Sequence, residues 1–318
     1  MMICNHFLLF PHRPHVIVNL LVCFFVLFLL PAASLSGLHE DAVDALNKKS
    51  YPKAIQIFEE DAKKGNPESQ FMLGSIYTQG LGVKKNISLA VHWHEMAAKQ
   101  GHLQSQYVLA IMYKDGEGVK KDSSQAVYWL EKASQQNSAE AQYTLATMYE
   151  SGDGVPQNGE QAFHLYEQAA NQDHPKAQTA MGLLAVRNTP PRFDEAVSWF
   201  QKAVAHGYPL AQCRLGILYE TGRGVPRNYE QAAYWYKKAV KQGDLLAHNK
   251  LGFLYYNGQG VPQDYILSYA LFQIANERGD KDAFQNSYIA ASYLPPKLFE
   301  KATALARTPQ KVYTMIGD

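Results

Sequence analysis

His92-Trp93-His94-Glu95 sets two imidazoles and a carboxylate within four residues, the donor types that hold zinc. On a helix, positions i and i+2 face about 200° apart, so both rings cannot reach one ion. A zinc-protease helix needs His-Glu-x-x-His along one face, and that spacing is absent. His94 instead occupies a slot that later segments fill with Tyr166, Phe200, Tyr236 and Phe272, so it reads as packing. Cys213 is the second candidate, as a nucleophile. Its only evident basic helper is Arg214, so it reads as a lone semi-buried thiol. Neither a Gly-x-Ser-x-Gly elbow, a phosphate loop nor a paired-cysteine metal site occurs. The expectation is a protein without catalytic residues, metal or cofactor.

Composition narrows the class further. A hydrophobic content of 47% is ordinary for a folded chain. From Val16 to Leu30 the chain is apolar except for Asn19, preceded by Arg13 and followed by the small residues of Pro31 to Ser36. Residues 1–36 therefore read as a secretory signal, or as an uncleaved membrane anchor, with the remainder outside the cytoplasm. Cys4 and Cys23 fall in that leader, so Cys213 stands alone afterwards and no intrachain disulfide holds the mature chain. Without Arg13, 29 basic residues face 29 acidic ones, a balance that disfavours nucleic acid as a partner.

The elements that would position any site come from an internal repeat. Gly74 recurs as Ala110, Ala146, Gly182, Gly216 and Gly252, at spacings of 36, 36, 36, 34 and 36 residues. In the first unit Ser69, Leu73, Ile76 and Tyr77 form one stripe of a first helix. Gly74 lies beside it, where a helix crossing too close for a larger side chain is expected. Gly80 reads as a left-handed helix end, and Val83 as a plug returning to the core. Asn86 reads as the N-cap of a second helix, which also explains the Asn86-Ile87-Ser88 sequon. Asp122 with Gln125, Asn158 with Gln161 and Asn228 with Gln231 match the capping-box spacing. Ala90, Trp93 and Ala97 would be buried from the second helix, as would Ala126, Trp129 and Ala133, and Ala232, Trp235 and Ala239.

Leu73-Gly74-x-x-Tyr77-x-x-Gly80-x-Gly82-Val83 followed by Ala90-x-x-Trp93-x-x-x-Ala97 resembles the Sel-1-like repeat, a relative of the tetratricopeptide repeat. Six copies cover about two-thirds of the chain, at 66–101, 102–137, 138–173, 174–207, 208–243 and 244–279. The resemblance implies an all-α fold, a right-handed superhelical α-solenoid of stacked antiparallel helix pairs used for protein–protein contacts. It further implies a setting in bacterial envelopes, host-interaction factors or the endoplasmic reticulum lumen. Relatives described as β-lactamases carry cysteine pairs that are missing here.

The fourth unit departs from the pattern. Arg187-Asn188-Thr189-Pro190-Pro191-Arg192 replaces the glycine turn, and Thr189 could cap a helix with Pro190 in its first position. Residues 37–65 read as an N-terminal capping half-repeat, with Ala42, Ala45, Ala54 and Phe58 as its apolar positions. Residues 280–307 read as C-terminal capping helices that use Ala283, Phe284 and Ile289, then Leu298, Phe299, Ala302, Leu305 and Ala306. Residues 308–318 are expected to fray.

In tetratricopeptide-like stacks the first helices line the concave face. Counted from the leucine position, Phe71, Tyr107, Ile111, Tyr143, Leu183, Ile217, Phe253 and Tyr256 fall on outward rows and form a broken apolar strip. Such a strip suits capture of a protein partner, as an extended peptide or a helix. The reading is therefore a monomeric, non-enzymatic scaffold of the envelope or secreted space. It touches a membrane only through the leader, if that is uncleaved. The rivals are a protein that binds or modifies peptidoglycan, and a quality-control adaptor of the endoplasmic reticulum. Lys84-Lys85 and Lys120-Lys121, in equivalent turns, read as a solvated rim.

Overall fold

The computed structural model describes residues 37–317, so the expected leader lies outside the described residues. Among the described residues the regular structure is seventeen helices, without a strand. They group into two compact units, divided between Ala162 and Phe163.

In the first unit, α1 (Gly37–Asn47) and α2 (Tyr51–Lys63) form the opening hairpin, with Ala42, Ala54 and Phe58 wholly buried. Two full hairpins follow, α3 (Pro67–Gln79) with α4 (Ile87–Lys99) and α5 (Leu103–Asp115) with α6 (Ser123–Gln135). Next comes α7 (Ala139–Ser151), and α8 (Gly159–Asn171) spans the division between the units. In the second unit the hairpins are α9 (Pro175–Arg187) with α10 (Phe193–Ala205), α11 (Pro209–Thr221) with α12 (Tyr229–Lys241), and α13 (Leu245–Asn257) with α14 (Tyr265–Glu277). The chain closes with α15 (Lys281–Ala291), α16 (Pro296–Ala306) and α17 (Pro309–Met315).

The glycine turn works by two local devices. Gly80, at φ 72°, ends α3 and donates its N–H to the carbonyl of Ile76 at 2.8 Å. Asn86 then caps α4 by accepting from the backbone N–H of Leu89 at 3.1 Å. Only half of the expected capping box forms. The backbone N–H groups of Asn86, Asp122, Asn158, Asn228 and Asp264 each donate at 2.9 Å to the carbonyls of Tyr77, Tyr113, Tyr149, Tyr219 and Tyr255. A first-helix carbonyl thus takes the proton that a Gln side chain would have accepted, tying the start of the second helix to the end of the first.

The anchor residue sets the crossing distance. A Cβ on Gly74 would lie 2.6 Å from the His94 ring, and one on Gly182 2.5 Å from that of Phe200. In the hairpin with Ala110 the facing slot holds Leu130, which leaves room for the methyl group; both are wholly buried.

A ladder of buried glutamines joins successive hairpins. Gln70 Nε2 donates to the carbonyl of Ala62 at 3.1 Å, while its Oε1 accepts from Gln100 Nε2 at 2.7 Å. Gln106 repeats this with Ala98 and Gln136, and Gln212 accepts from Gln242 at 2.9 Å. A buried carboxamide is tolerated only when its polar atoms are bonded. Gln70 and Gln106 add a second donor to the carbonyls of Ala62 and Ala98, which already accept from the N–H groups of Gly65 and Gly101.

The fourth turn corrects one expectation. Thr189 caps nothing: α10 starts at Phe193 with Arg192 at its N-cap and no side-chain cap bond. Arg192 N–H still reaches the carbonyl of Ala185 at 2.9 Å, the same tie as in the glycine turns. The hairpin therefore survives without Gly-x-Gly.

The chain's end corrects two more. Residues 309–315 are not frayed but form α17, with Val312 and Ile316 buried among Tyr236, Val240 and Ile274. Tyr313 Oη donates to His248 Nε2 at 3.1 Å, and His248 Nδ1 lies 2.6 Å from the Asp244 carbonyl, which fixes the tautomer. Phe284 and Ile289, expected in the core of α15, are 49% and 50% exposed, and Leu298 and Phe299 of α16 also face outward.

Candidate partner-binding face

The first helices are sandwiched between the second helix of their own hairpin and that of the one before, which leaves a single narrow face for a partner. In the first unit Tyr107, Ile111 and Tyr143 are each half-buried. Phe71 packs between the rings of His94 and His102, at 5.6 and 5.0 Å, and so serves the seam between hairpins. Burial raises the pKa of Tyr107, which is hydrogen-bonded to Thr144. In the second unit Leu183 and Ile217 are half-buried against their cores, and Phe253 is 36% exposed, edge-on to Phe272. Tyr256 meets the rings of Tyr265 and Tyr293.

The row two residues before the leucine is rotated further inward than the spacing suggested. Thr179, Cys213 and Asn249 are all buried. In the row two residues after it Ser75 is buried, while Ile111 and Thr147 in the first unit, and Leu183, Ile217 and Phe253 in the second, stay part-exposed.

The catalytic candidates are built into the scaffold. His94 is buried, and desolvation drives its pKa down to about 3, so it is a neutral ring packed over Gly74. Cys213 is wholly buried and bonded to Asp244, and burial pushes its thiol well up, the opposite of an activated nucleophile. Burial also raises the Asp244 carboxyl. Ser69 Oγ donates to Asp61 Oδ2 at 2.6 Å and lies 3.0 Å from His39 Nδ1. That trio has the residue types of a hydrolase, yet Ser69 and His39 have no exposed surface for a substrate to reach. It ties α1, α2 and α3 together. Among the described residues no group of three metal-ligating side chains converges, and no helix is long and apolar enough to cross a membrane.

Of the turn lysines, Lys85 pairs with Glu117 at 3.6 Å across neighbouring turns. On the second unit Glu220 accepts from Tyr236 Oη and pairs with Lys250 at 3.4 Å. The glutamine ladder escaped the reading by apolar spacing, although Gln70, Gln106, Gln142, Gln178 and Gln212 stand three residues before the leucine position in five successive repeats.

Comparison with known proteins agrees with this architecture. The Sel1 repeat model matches residues 67–102, 103–138, 139–174, 175–208, 209–244 and 245–280. A protective antigen of uropathogenic Escherichia coli with the same repeat fold is 30% identical, with a TM-score of 0.64 over 87% of this chain and 68% of that one. A Sel1 repeat protein from Oxalobacter formigenes is 28% identical, with a TM-score of 0.69 over 76% of this chain and 97% of that one. No protein of curated function matches at a significant level. Six matched repeats and the shared stack of helical hairpins place this chain in the Sel1 repeat family, whose members typically serve as protein–protein interaction scaffolds.

Proposed function

We propose that the chain is a non-enzymatic scaffold of the envelope or secreted space that holds a protein partner against its first helices. The carrying observation is the row Leu183, Ile217 and Phe253 of the second unit, part-exposed and apolar at positions where a solvated helix face would be polar. The apolar leader of residues 1–36 supports the location. The protective-antigen relative supports a role at a surface met by a host.

The test places a photo-crosslinking amino acid at Phe253 and at Ile111, in cells that make the protein from its own leader. One protein captured at these sites, and lost with Ile217→Asp while helicity is unchanged, supports the reading. Crosslinks restricted to peptidoglycan fragments would replace it with cell-wall binding. Crosslinking that is equal at Phe253 and at an outward lysine such as Lys238 would remove the groove.

A further inference from the structure

A first-helix cation of the second unit stands without a counter-charge. Arg214 on α11 is half-buried; its Nε is covered without an acceptor, while the outer Nη groups remain open. Among the described residues no hydrogen bond or ion pair reaches its guanidinium. Asp244 senses the charge of Arg214 but is committed elsewhere, to the N-cap of α13 and to Cys213.

The next hairpin shows what is missing. Lys250 holds the equivalent position there, just before the leucine, and its Nζ pairs with Glu220 of the preceding first helix at 3.4 Å. Glu220 stands five residues after Leu215, and the residue in that register on α9, five after Met181, is Val186. Arg214 therefore meets a valine where Lys250 meets a carboxylate. Ile217 lies one turn after Arg214 and Leu183 one turn before Val186, both part-exposed. Residues three apart are neighbours on a helix surface, so the register frames the cation with apolar side chains on both helices.

We propose that Arg214 takes the carboxylate of an Asp or Glu in the protein partner, a proposal that rests on the first helices being the binding face. An apolar side chain beside that acid in the partner then rests on Ile217 or Leu183. The covered Nε has lost its water without gaining an acceptor, so part of the desolvation cost is already met before a partner arrives. The two Nη groups form a planar fork that matches the two oxygens of a carboxylate. A phosphate carries about −1.5 to −2 charge and would call for a second free cation, whereas Lys250 is already held by Glu220.

The test pans a displayed library of random linear peptides against the full chain, as wild type, Arg214→Gln, Val186→Glu and Ile217→Ser. Val186→Glu supplies from within the carboxylate that Glu220 gives Lys250, and Glu150 and Glu220 already occupy this register in other hairpins. Ile217→Ser removes apolar surface without adding a charge. Wild type should enrich peptides in which Asp or Glu adjoins Leu, Ile or Phe. Arg214→Gln and Val186→Glu should each weaken those peptides about 10-fold or more, with helical circular dichroism unchanged. Ile217→Ser should weaken them as well. Enriched peptides that lack an acid, or that bind either charge variant as tightly as wild type, overturn the proposal; if Ile217→Ser still weakens them, the first-helix face stands without it. Peptides indifferent to all three variants overturn both. Failure to enrich any peptide overturns the role of Arg214, and the crosslinks at Phe253 and Ile111 then decide the face separately.

Discussion

Gly216 lies beneath the ring of Tyr236, and a Cβ added there would sit 2.5 Å from Tyr236 Cε1. The ring cannot retreat, because Tyr236 is wholly buried and its hydroxyl is held by Glu220. Glycine costs about 1 kcal/mol relative to alanine within a helix, so the close crossing must offset that cost. Gly216→Ala should therefore destabilise, with overpacking of about 1–3 kcal/mol outweighing the gain in propensity. Gly182→Ala should do likewise, and adding Phe200→Leu should recover most of the loss by reproducing the Ala110 and Leu130 pairing. Urea midpoints of the single and double variants decide this; a stabilised Gly216→Ala would show that the crossing is not tight.

His94 should make stability acid-sensitive. Its folded pKa of about 3 lies below the ordinary histidine value of 6.5, so protons bind preferentially to the unfolded chain. Its contribution is fully present above pH ~6.5 and is lost as pH falls through that value toward 3. His248, lowered to about 4 by burial, acts in the same direction. His94→Phe, which copies the slot in the hairpins of Gly182 and Gly252, should flatten the fall between pH 7 and 5. It should also add about 1 kcal/mol at pH 7, because His94 Nδ1 is buried without a hydrogen bond. Urea midpoints at the two pH values read both effects.

The glutamine ladder has one broken rung. Gln178 Oε1 is buried without a partner, since His206 stands where Gln100, Gln136 and Gln242 donate in other hairpins. His206→Gln should supply the missing donor and stabilise by about 1 kcal/mol. Gln106→Leu, which removes one bond each from the Ala98 carbonyl and Gln136 while Gly101 still partners both, should cost about 1 kcal/mol. Thermal midpoints that leave both variants at the wild-type value would reduce the ladder to incidental contact.

The last helix should act as a seal. Val312 and Ile316 are buried against α12 and α14, so Ile316→Ala should cost about 2 kcal/mol, and removal of residues 309–318 more. Hydrogen exchange should then quicken first in α13 and α14. Unchanged exchange there would mean that α17 merely rests on the surface.

How much of this was legible follows from where each signal resides. Helix ends could be read because a cap is local: Asn86 bonds three residues ahead, and Gly80 needs only its own φ. The turn of Thr189 to Arg192 misled, because the start of α10 is held by the Arg192 bond to Ala185 across the turn. The row two residues before the leucine is less open than the spacing implied, because Thr179, Cys213 and Asn249 are buried.

Period and residue type alone therefore determined the repeat, the hairpin and the place of His94 in a packing slot, since each depends on contacts within some forty residues. Tertiary structure decided what those lengths could not carry. It showed which side of a first helix remains open, that Phe284 and Ile289 face water, and that residues 309–315 return to cover the last full hairpin. The physical reason is that exposure in a stack is set by the neighbouring unit. Beside α15 no second helix takes the usual place, so Phe284 and Ile289 stay exposed although their apolar character predicted a core.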